Sequence, residues 1–309
     1  MKKILLLMLT LLLAGCWDVN EPERMYYIHG LGVDYKDGKY EIDAQLIDFV
    51  NVAKTEQPTP DATQSEVGSA KGETVYEAIL NLYNSLDMRL FWGHLTFLVF
   101  TEEALKEGRA DPVFSMLTHY RETRYQIWVY ATDESLKDIL LNAPVLNKSI
   151  TLSKMANPLS SYGQKSYLEP INIRKLVIAF NEPSHEITIP YVKIAENWET
   201  DKGGRKGTKI DGVAIVAYYE YKGTITGEKA SGLMWMTNET NRGEVTIGKG
   251  TDAFTATIDH LKVETKAMEK DGELKFRATI HVNATFSVAN REVNEQEIRE
   301  AIEKKSKNK

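Results

Sequence analysis

Cysteine is nearly absent from this chain: Cys16 is the only one in 309 residues. A lone thiol excludes an internal disulfide and any cysteine-built metal centre. Long apolar runs are missing too. After the first fifteen residues no segment approaches the roughly 18 apolar residues that a membrane-crossing helix needs. Positive charge is not in excess, with 38 Lys and Arg against 44 Asp and Glu, a net charge of −6. Such a balance gives no electrostatic reason to bind nucleic acid or anionic headgroups. Histidine is sparse, and His29, His94, His119, His185, His260 and His281 fall in different segments without metal-ligand spacing.

Signatures of chemistry are equally scarce. No G-x-S-x-G is present. Gly30-x-Gly32 lacks the third glycine and following helix of a dinucleotide fingerprint, and residues 203–208 lack the spacing of a phosphate loop. Asp34 and Asp37 lack the rest of a calcium loop. Glu102-Glu103 falls at a helix start, where acids suit the dipole, and is not read as a catalytic pair. No catalytic residue, metal or cofactor is therefore expected.

The first residues carry the strongest signal. Lys2 and Lys3 precede an apolar run from Ile4 to Leu13, broken only by Thr10, and Leu13-Ala14-Gly15-Cys16 follows. The run is short for a permanent span, and its flanks are those of a secretory signal. The tetrapeptide resembles a bacterial lipobox, in which the thiol receives a diacylglycerol and becomes the first mature residue. Cys16 is thus the expected lipidation site and residues 1–15 the expected signal peptide. Cleavage would remove two lysines and no acid, leaving 36 basic against 44 acidic side chains. Two acyl chains hold a protein stably at a bilayer where one does not.

Hydropathy patterning predicts α+β architecture: a mixed α/β region over residues 16–200, a linker over 201–209, and a β-rich domain over 210–309. Residues 25–33 read as a strand, Asp37-Gly38 as a hairpin turn, and Tyr40, Ile42, Ala44 and Leu46 as the buried face of a second strand. Residues 53–70 read as a long exposed loop. Thr74 and Glu77 form a capping box before a helix, residues 95–100 read as a doubly covered strand, and Asp111-Pro112 opens another helix. A strand over 125–131, a helix over 133–141, a helix through Ile173 to Phe180 and an extended stretch over 186–194 follow. The glycine-rich, charged segment 200–209 reads as solvated linker. Beyond it, 213–221 reads as one strand, the phase slip after Ile258 predicts a β-bulge near Asp259-His260, and Asp271-Gly272 signals a hairpin. From Leu274 to Val288 apolar and polar residues alternate without a miss, which calls for an apolar partner on one face. Residues 291–304 read as a charged helix.

Four motifs resemble the Ger(x)C spore germination lipoproteins, the third subunit of nutrient germinant receptors. They are Cys16-Trp17-Asp18 through Glu21, Gly30-Leu31-Gly32-Val33-Asp34, Gly72-Glu73-Thr74-Val75-Tyr76-Glu77-Ala78, and Trp92-Gly93-His94. The resemblance covers residue 16 to about 200, and the strands after 210 resemble the start of the family's C-terminal domain. Members usually continue further, so the β-rich domain is expected to be incomplete here.

The resemblance implies a non-enzymatic, lipid-anchored subunit on the outer face of the spore inner membrane. Its implied partners are two integral-membrane receptor subunits, and no particular small-molecule ligand is implied. A solute-binding lipoprotein of a membrane importer shares the anchor. It would need two similar α/β lobes, and the strand-rich run after 210 argues against that. An envelope hydrolase is opposed by the empty census of catalytic groups.

Overall fold

The computed structural model describes residues 24–48, 63–182, 185–201, 203–238, 240, 242–248, 250–270, 272–289 and 294–307. Cys16, the apolar leader and the proline-containing stretch 53–62 lie outside the described residues.

Among the described residues nine strands form one mixed sheet. They are β1 (Met25–Lys36), β2 (Lys39–Ile47), β3 (Ser65–Gly72), β4 (Arg89–Phe91), β5 (Phe97–Thr101), β6 (Trp128–Thr132), β7 (Glu186–Thr200), β8 (Gly203–Ala217) and β9 (Glu220–Thr226). The order is β3-β2-β1-β5-β6-β7-β8-β9, with β4 beside the start of β1. The β1–β4, β1–β5, β5–β6 and β6–β7 pairs are parallel and the others antiparallel. Helices connect the parallel members: α1 (Val75–Tyr83), α2 (Glu102–Leu105), α3 (Asp111–Leu117), α4 (Leu136–Leu140), α5 (Pro158–Gln164) and α6 (Ile173–Asn181). β5, α3 and β6 form a crossover unit with parallel strands.

β5 separates two cores. Leu98 and Phe100 join Val75, Ile79, Leu82, Phe114, Leu176 and Phe180 on one face of the sheet. Phe97 and Val99 join Tyr130, Leu136, Ile139, Leu140 and Met155 on the other. The continuous apolar run of β5 is what double coverage requires.

Local signals explain several elements. Asp37 and Gly38 sit at φ 52° and 81°, the two positive values of a two-residue hairpin turn. Thr74 Oγ1 accepts from Glu77 N (3.1 Å), while the Glu77 carboxylate accepts from Glu73 N (2.7 Å). The box is closed one residue earlier than the usual pattern, and α1 starts as expected.

Other expectations need correction. Residues 65–72 are not loop but edge strand β3, paired along the length of β2. Their small and polar residues carry no clear period, so the neighbouring strand supplies the order that local propensity does not. The alternation of β2 breaks after Ala44, since Gln45 and Ile47 are buried. Gln45 donates to Leu140 O, at the end of α4, so a second layer covers the face expected to meet water. Residues 203–209 are not a linker but one arm of the β7–β8 hairpin, with Thr200 opposite Gly203. The glycine and charge that suggest a linker suit a hairpin end washed by solvent. Arg205 fixes that arm by donating to Ala143 O (3.1 Å). Nor is 213–221 a single strand. Tyr218 and Tyr219, at φ 51° and 62°, turn β8 into β9. Tyr219 is held there by the Phe180 ring, 4.5 Å away between centroids. The strand and helix expected over 125–131 and 133–141 are shorter, as β6 and α4 show.

After α7 (Gly227–Ala230), a second sheet contains β10 (Gly243–Ile247), β11 (Phe254–Lys270) and β12 (Glu273–Ala289), all antiparallel. Its register shifts between Ile258 and His260, where the bulge is expected. Leu261, Val263, Ile280 and Val282 pack with Trp235 and with Ile298 and Ile302 of α8 (Glu295–Lys307). The alternating face of β12 is covered only in part, for Leu274 and Phe276 are each 67% exposed. Ser166 N donates to Arg242 O (2.7 Å), and Arg242 N to Ser166 Oγ (3.1 Å), tying this unit to the main sheet. No helix among the described residues is long and apolar enough to cross a membrane.

Close approach explains Gly72. A Cβ there would lie 2.4 Å from the Ala78 backbone nitrogen, so strand β3 and helix α1 could not meet as they do. Gly72→Ala is expected to cost about 1–3 kcal/mol by overpacking. Gly163→Ala, in α5 with open space around it, should be neutral or stabilising by up to about 1 kcal/mol. Urea titration of both variants tests the contrast, and equal effects would refute the packing argument.

Candidate functional site

Cys16 lies outside the described residues, eight positions before Arg24. The remaining motifs carry structure that can be read residue by residue. In Gly30-Leu31-Gly32-Val33-Asp34, Leu31 and Val33 enter the first core. The two glycines make room on the other face. A Cβ on Gly30 would lie 2.4 Å from the Phe97 ring, and one on Gly32 would meet Leu136 at 3.1 Å. Asp34, two residues before the end of the strand, accepts from Thr101 Oγ1 and from Tyr35 N (2.8 Å). The segment packs a strand between two layers and offers no phosphate cradle.

Trp92-Gly93-His94 forms a short 3-10 turn between β4 and β5. Trp92 is fully buried, stacks on Tyr120 with centroids 4.5 Å apart, and donates from Nε1 to Tyr83 Oη (3.0 Å). Tyr83 and Tyr120 share a further hydrogen bond of 3.0 Å. Three rings thereby lock α1, the end of α3 and β4 together. His94 is half-buried and meets the edges of Tyr27 and Phe91. Burial, and then the Arg124 charge, lower its pKa.

The other histidines remain apart. His29 is buried on β1, with Nδ1 2.8 Å from Gln45 Oε1. Desolvation, opposed by that hydrogen bond and aided by His94, lowers its pKa to about 4. His119 follows α3 and sits 2.8 Å from Ser115 O, and His185 lies beside Glu182. His260 and His281 stand on β11 and β12. Among the described residues no group of three or more His, Cys, Asp or Glu is placed to hold a metal.

Ligand sites of sheets with parallel strands usually lie beyond the strands' carboxyl ends. Here that edge is filled by a closed polar network. Glu102 Oε1 accepts from Tyr191 Oη (2.8 Å) and Thr224 Oγ1 (2.9 Å). Burial alone would raise its pKa, but hydrogen bonds from Tyr221, Tyr191 and Thr224 outweigh it and hold the carboxyl below its ordinary value. Thr132 Oγ1 donates to Val192 O (2.9 Å), and Lys193 pairs with Asp133. The arrangement ties α2 to β7 and β9 rather than leaving a reactive carboxylate. Sequence alone shows only that Glu102 suits a helix start. Its partners lie 89 and 122 positions away, so no local pattern could reveal them.

This fold and these motifs can be set beside known proteins. A family model described as "Spore germination protein N-terminal domain" matches residues 18–194, and one described as "Spore germination B3/ GerAC like, C-terminal" matches residues 211–309. The chain belongs to the Ger(x)C family of spore germination proteins. It is 24% identical to Spore germination protein KC of Bacillus subtilis (strain 168), covering 91% of this chain and 72% of that one. It is 21% identical to Spore germination protein A3 of the same organism, over 90% of this chain and 71% of that one. A solved structure, "Crystal Structure of the GerBC protein", shares the fold with a TM-score of 0.52 and 16% identity, covering 90% of this chain and 78% of that one. The two family matches part within the β7–β8 hairpin, while the main sheet runs on to Thr226.

Two measurements probe this architecture. Above about pH 6.5 both folded and unfolded chains hold His29 neutral. As pH falls toward 4 the unfolded chain takes up a proton that the buried ring refuses. Stability should then drop by about 1.4 kcal/mol per pH unit, to a total near 3 kcal/mol. In urea titrations at pH 7.5 and 5, His29→Gln should flatten that dependence, and a pH-independent difference from wild type would contradict the assignment. Separately, Tyr83→Phe strands the buried Trp92 donor and should cost about 1–3 kcal/mol. Tyr76→Phe, on the exposed face of α1, should change stability by less than about 0.5 kcal/mol.

Proposed function

We infer that this chain is the non-enzymatic, lipid-anchored subunit of a spore nutrient germinant receptor. It is tethered through Cys16 to the outer face of the spore inner membrane and assembles there with two integral-membrane subunits. The observation that carries the reading is the pair of family matches, which together span residues 18–194 and 211–309. The lipobox-like Leu13-Ala14-Gly15-Cys16 supports the anchor. In this reading residues 1–15 are removed, residues 16–200 form the N-terminal region, and the C-terminal region follows from about 210.

The physics of the role is attachment followed by contact. Diacylation holds the protein at the bilayer, and the anchor confines its body near membrane partners, raising their effective concentration without any new contact surface. The importer reading fares worse, because one continuous sheet from β3 to β9 does not divide into two similar lobes around a cleft.

Cys16→Ser tests the reading. The variant should leave the membrane fraction, fail to copurify with the two integral subunits and slow nutrient-triggered germination. Retention in the membrane fraction with normal germination would overturn it.

A further inference from the structure

A cavity of about 560 Å³ opens between α3, the loop that follows it and α6. Its volume lies within the range of small-molecule sites. The two ends differ in character. Ile173 N donates to Ile127 O (2.8 Å), which brings the start of α6 to the loop after α3. Arg121, Arg124 and Arg174 therefore line one end of the cavity. Phe114, Phe180 and Tyr219 line the other, with successive ring centroids 5.9 and 4.5 Å apart. Leu117, Ile173 and Val177 pave the wall between them. Asp111 is the one acid on the lining, at the opposite end of α3 from the arginine-bearing loop.

Three features at the basic end lack a protein partner: arginines that are exposed to solvent, one of them at a helix start, and a buried hydroxyl. None of the three arginines makes an ion pair or side-chain hydrogen bond among the described residues, although the chain carries more acids than bases. Arg174 occupies the first turn of α6, where no acid is present and the helix dipole disfavours a cation. Its neighbour Lys175 is neutralised by Glu169, and Arg174 is not. Thr123 Oγ1, also on the lining, is buried without a hydrogen-bond partner, the single such side-chain atom among the described residues. An orphaned buried hydroxyl and a helix-start cation both cost stability, and a bound ligand relieves both.

We propose that this cavity binds a small amphiphilic organic anion. A carboxylate head lies among Arg121, Arg124 and Arg174 and accepts a hydrogen bond from Thr123 Oγ1, while an apolar body runs toward Phe114 and Phe180. From Arg174 to Asn181 the wall rises about 10 Å, which suits a phenylalkyl or medium-chain body. Planar guanidinium forks match the head group, and the apolar wall takes the body out of water. The site is independent of membrane assembly and of the Cys16 anchor.

Calorimetry on the full chain in phosphatidylcholine nanodiscs, with empty discs as blank, tests the proposal. The probes are 4-phenylbutyrate, 4-phenylbutan-1-ol and 4-phenylbutylamine, which share a body and differ in head. The carboxylate should bind saturably below about 5 mM and at least about tenfold more tightly than the alcohol, and the amine should not bind. Combined Arg121→Gln, Arg124→Gln and Arg174→Gln should weaken the carboxylate at least about tenfold. Thr123→Val should weaken it too, yet leave the empty protein as stable as wild type or more so, because it deletes an unpaired buried hydroxyl. A purely structural threonine would not give those opposite signs. Absence of saturable binding, equal binding of all three heads, or unchanged binding by the arginine variant would overturn the proposal. Competition by phosphatidylglycerol placed in the discs would do so as well, by assigning the site to a lipid headgroup.

Discussion

Strand β5 is the wall on which the main domain is built. Its residues alternate between two cores, Leu98 and Phe100 toward one and Phe97 and Val99 toward the other. Both faces must be covered, and that requirement sets the rest. α1, α3 and α6 cover one face, while α4 and the segment around Met155 cover the other. β1 runs parallel to β5 and offers glycines where Phe97 and Leu136 need room. A residue larger than glycine at Gly30 would push the Phe97 ring, and through it the edge contact with His29. Removing any one layer would expose a fully apolar strand, so the helices and the sheet stand or fall together.

The three resemblance motifs that lie among the described residues are therefore packing devices. The first-strand signature seats β1 between two layers, the capping motif brings β3 onto α1, and the tryptophan motif closes a ring of three aromatic side chains. None of them assembles nucleophile, base and oxyanion donors in the way catalysis demands. This is why the resemblance speaks to fold with more force than to chemistry. The role in germination follows from family membership, and the mechanism proposed for it rests on tethering and contact.

Elements with strong local chemistry were legible in the sequence: the Asp37-Gly38 turn, the Thr74 cap, the apolar run of β5, the proline at the start of α3 and the slip near His260. What escaped depends on partners far along the chain. β3 has no period of its own and is ordered by β2. Of the supposed linker at 201–209, residues 203–209 are held as a hairpin arm by pairing with β7 and by Arg205. The turn at Tyr218 and Tyr219 uses no glycine, because a ring from α6 secures it. The basic cavity draws on three separated segments, so its only linear hint is a helix that begins with Arg174 and Lys175 where acids are favoured.

Charge and anchor together constrain how such a body sits at a membrane. A chain carrying more acids than bases is not drawn to anionic headgroups, and no described helix is long and apolar enough to cross a bilayer. If diacylated Cys16 is the tether, the eight chain steps from it to Arg24 span at most roughly 28 Å when extended. In that case the folded body stays within one domain diameter of the surface. On the proposed reading, such a tether would favour contact with membrane partners by proximity. Against that acidic background the three exposed, unpaired arginines on the cavity lining form a local basic patch. On the proposal made for that cavity, it is this local basic charge that favours an anionic head group.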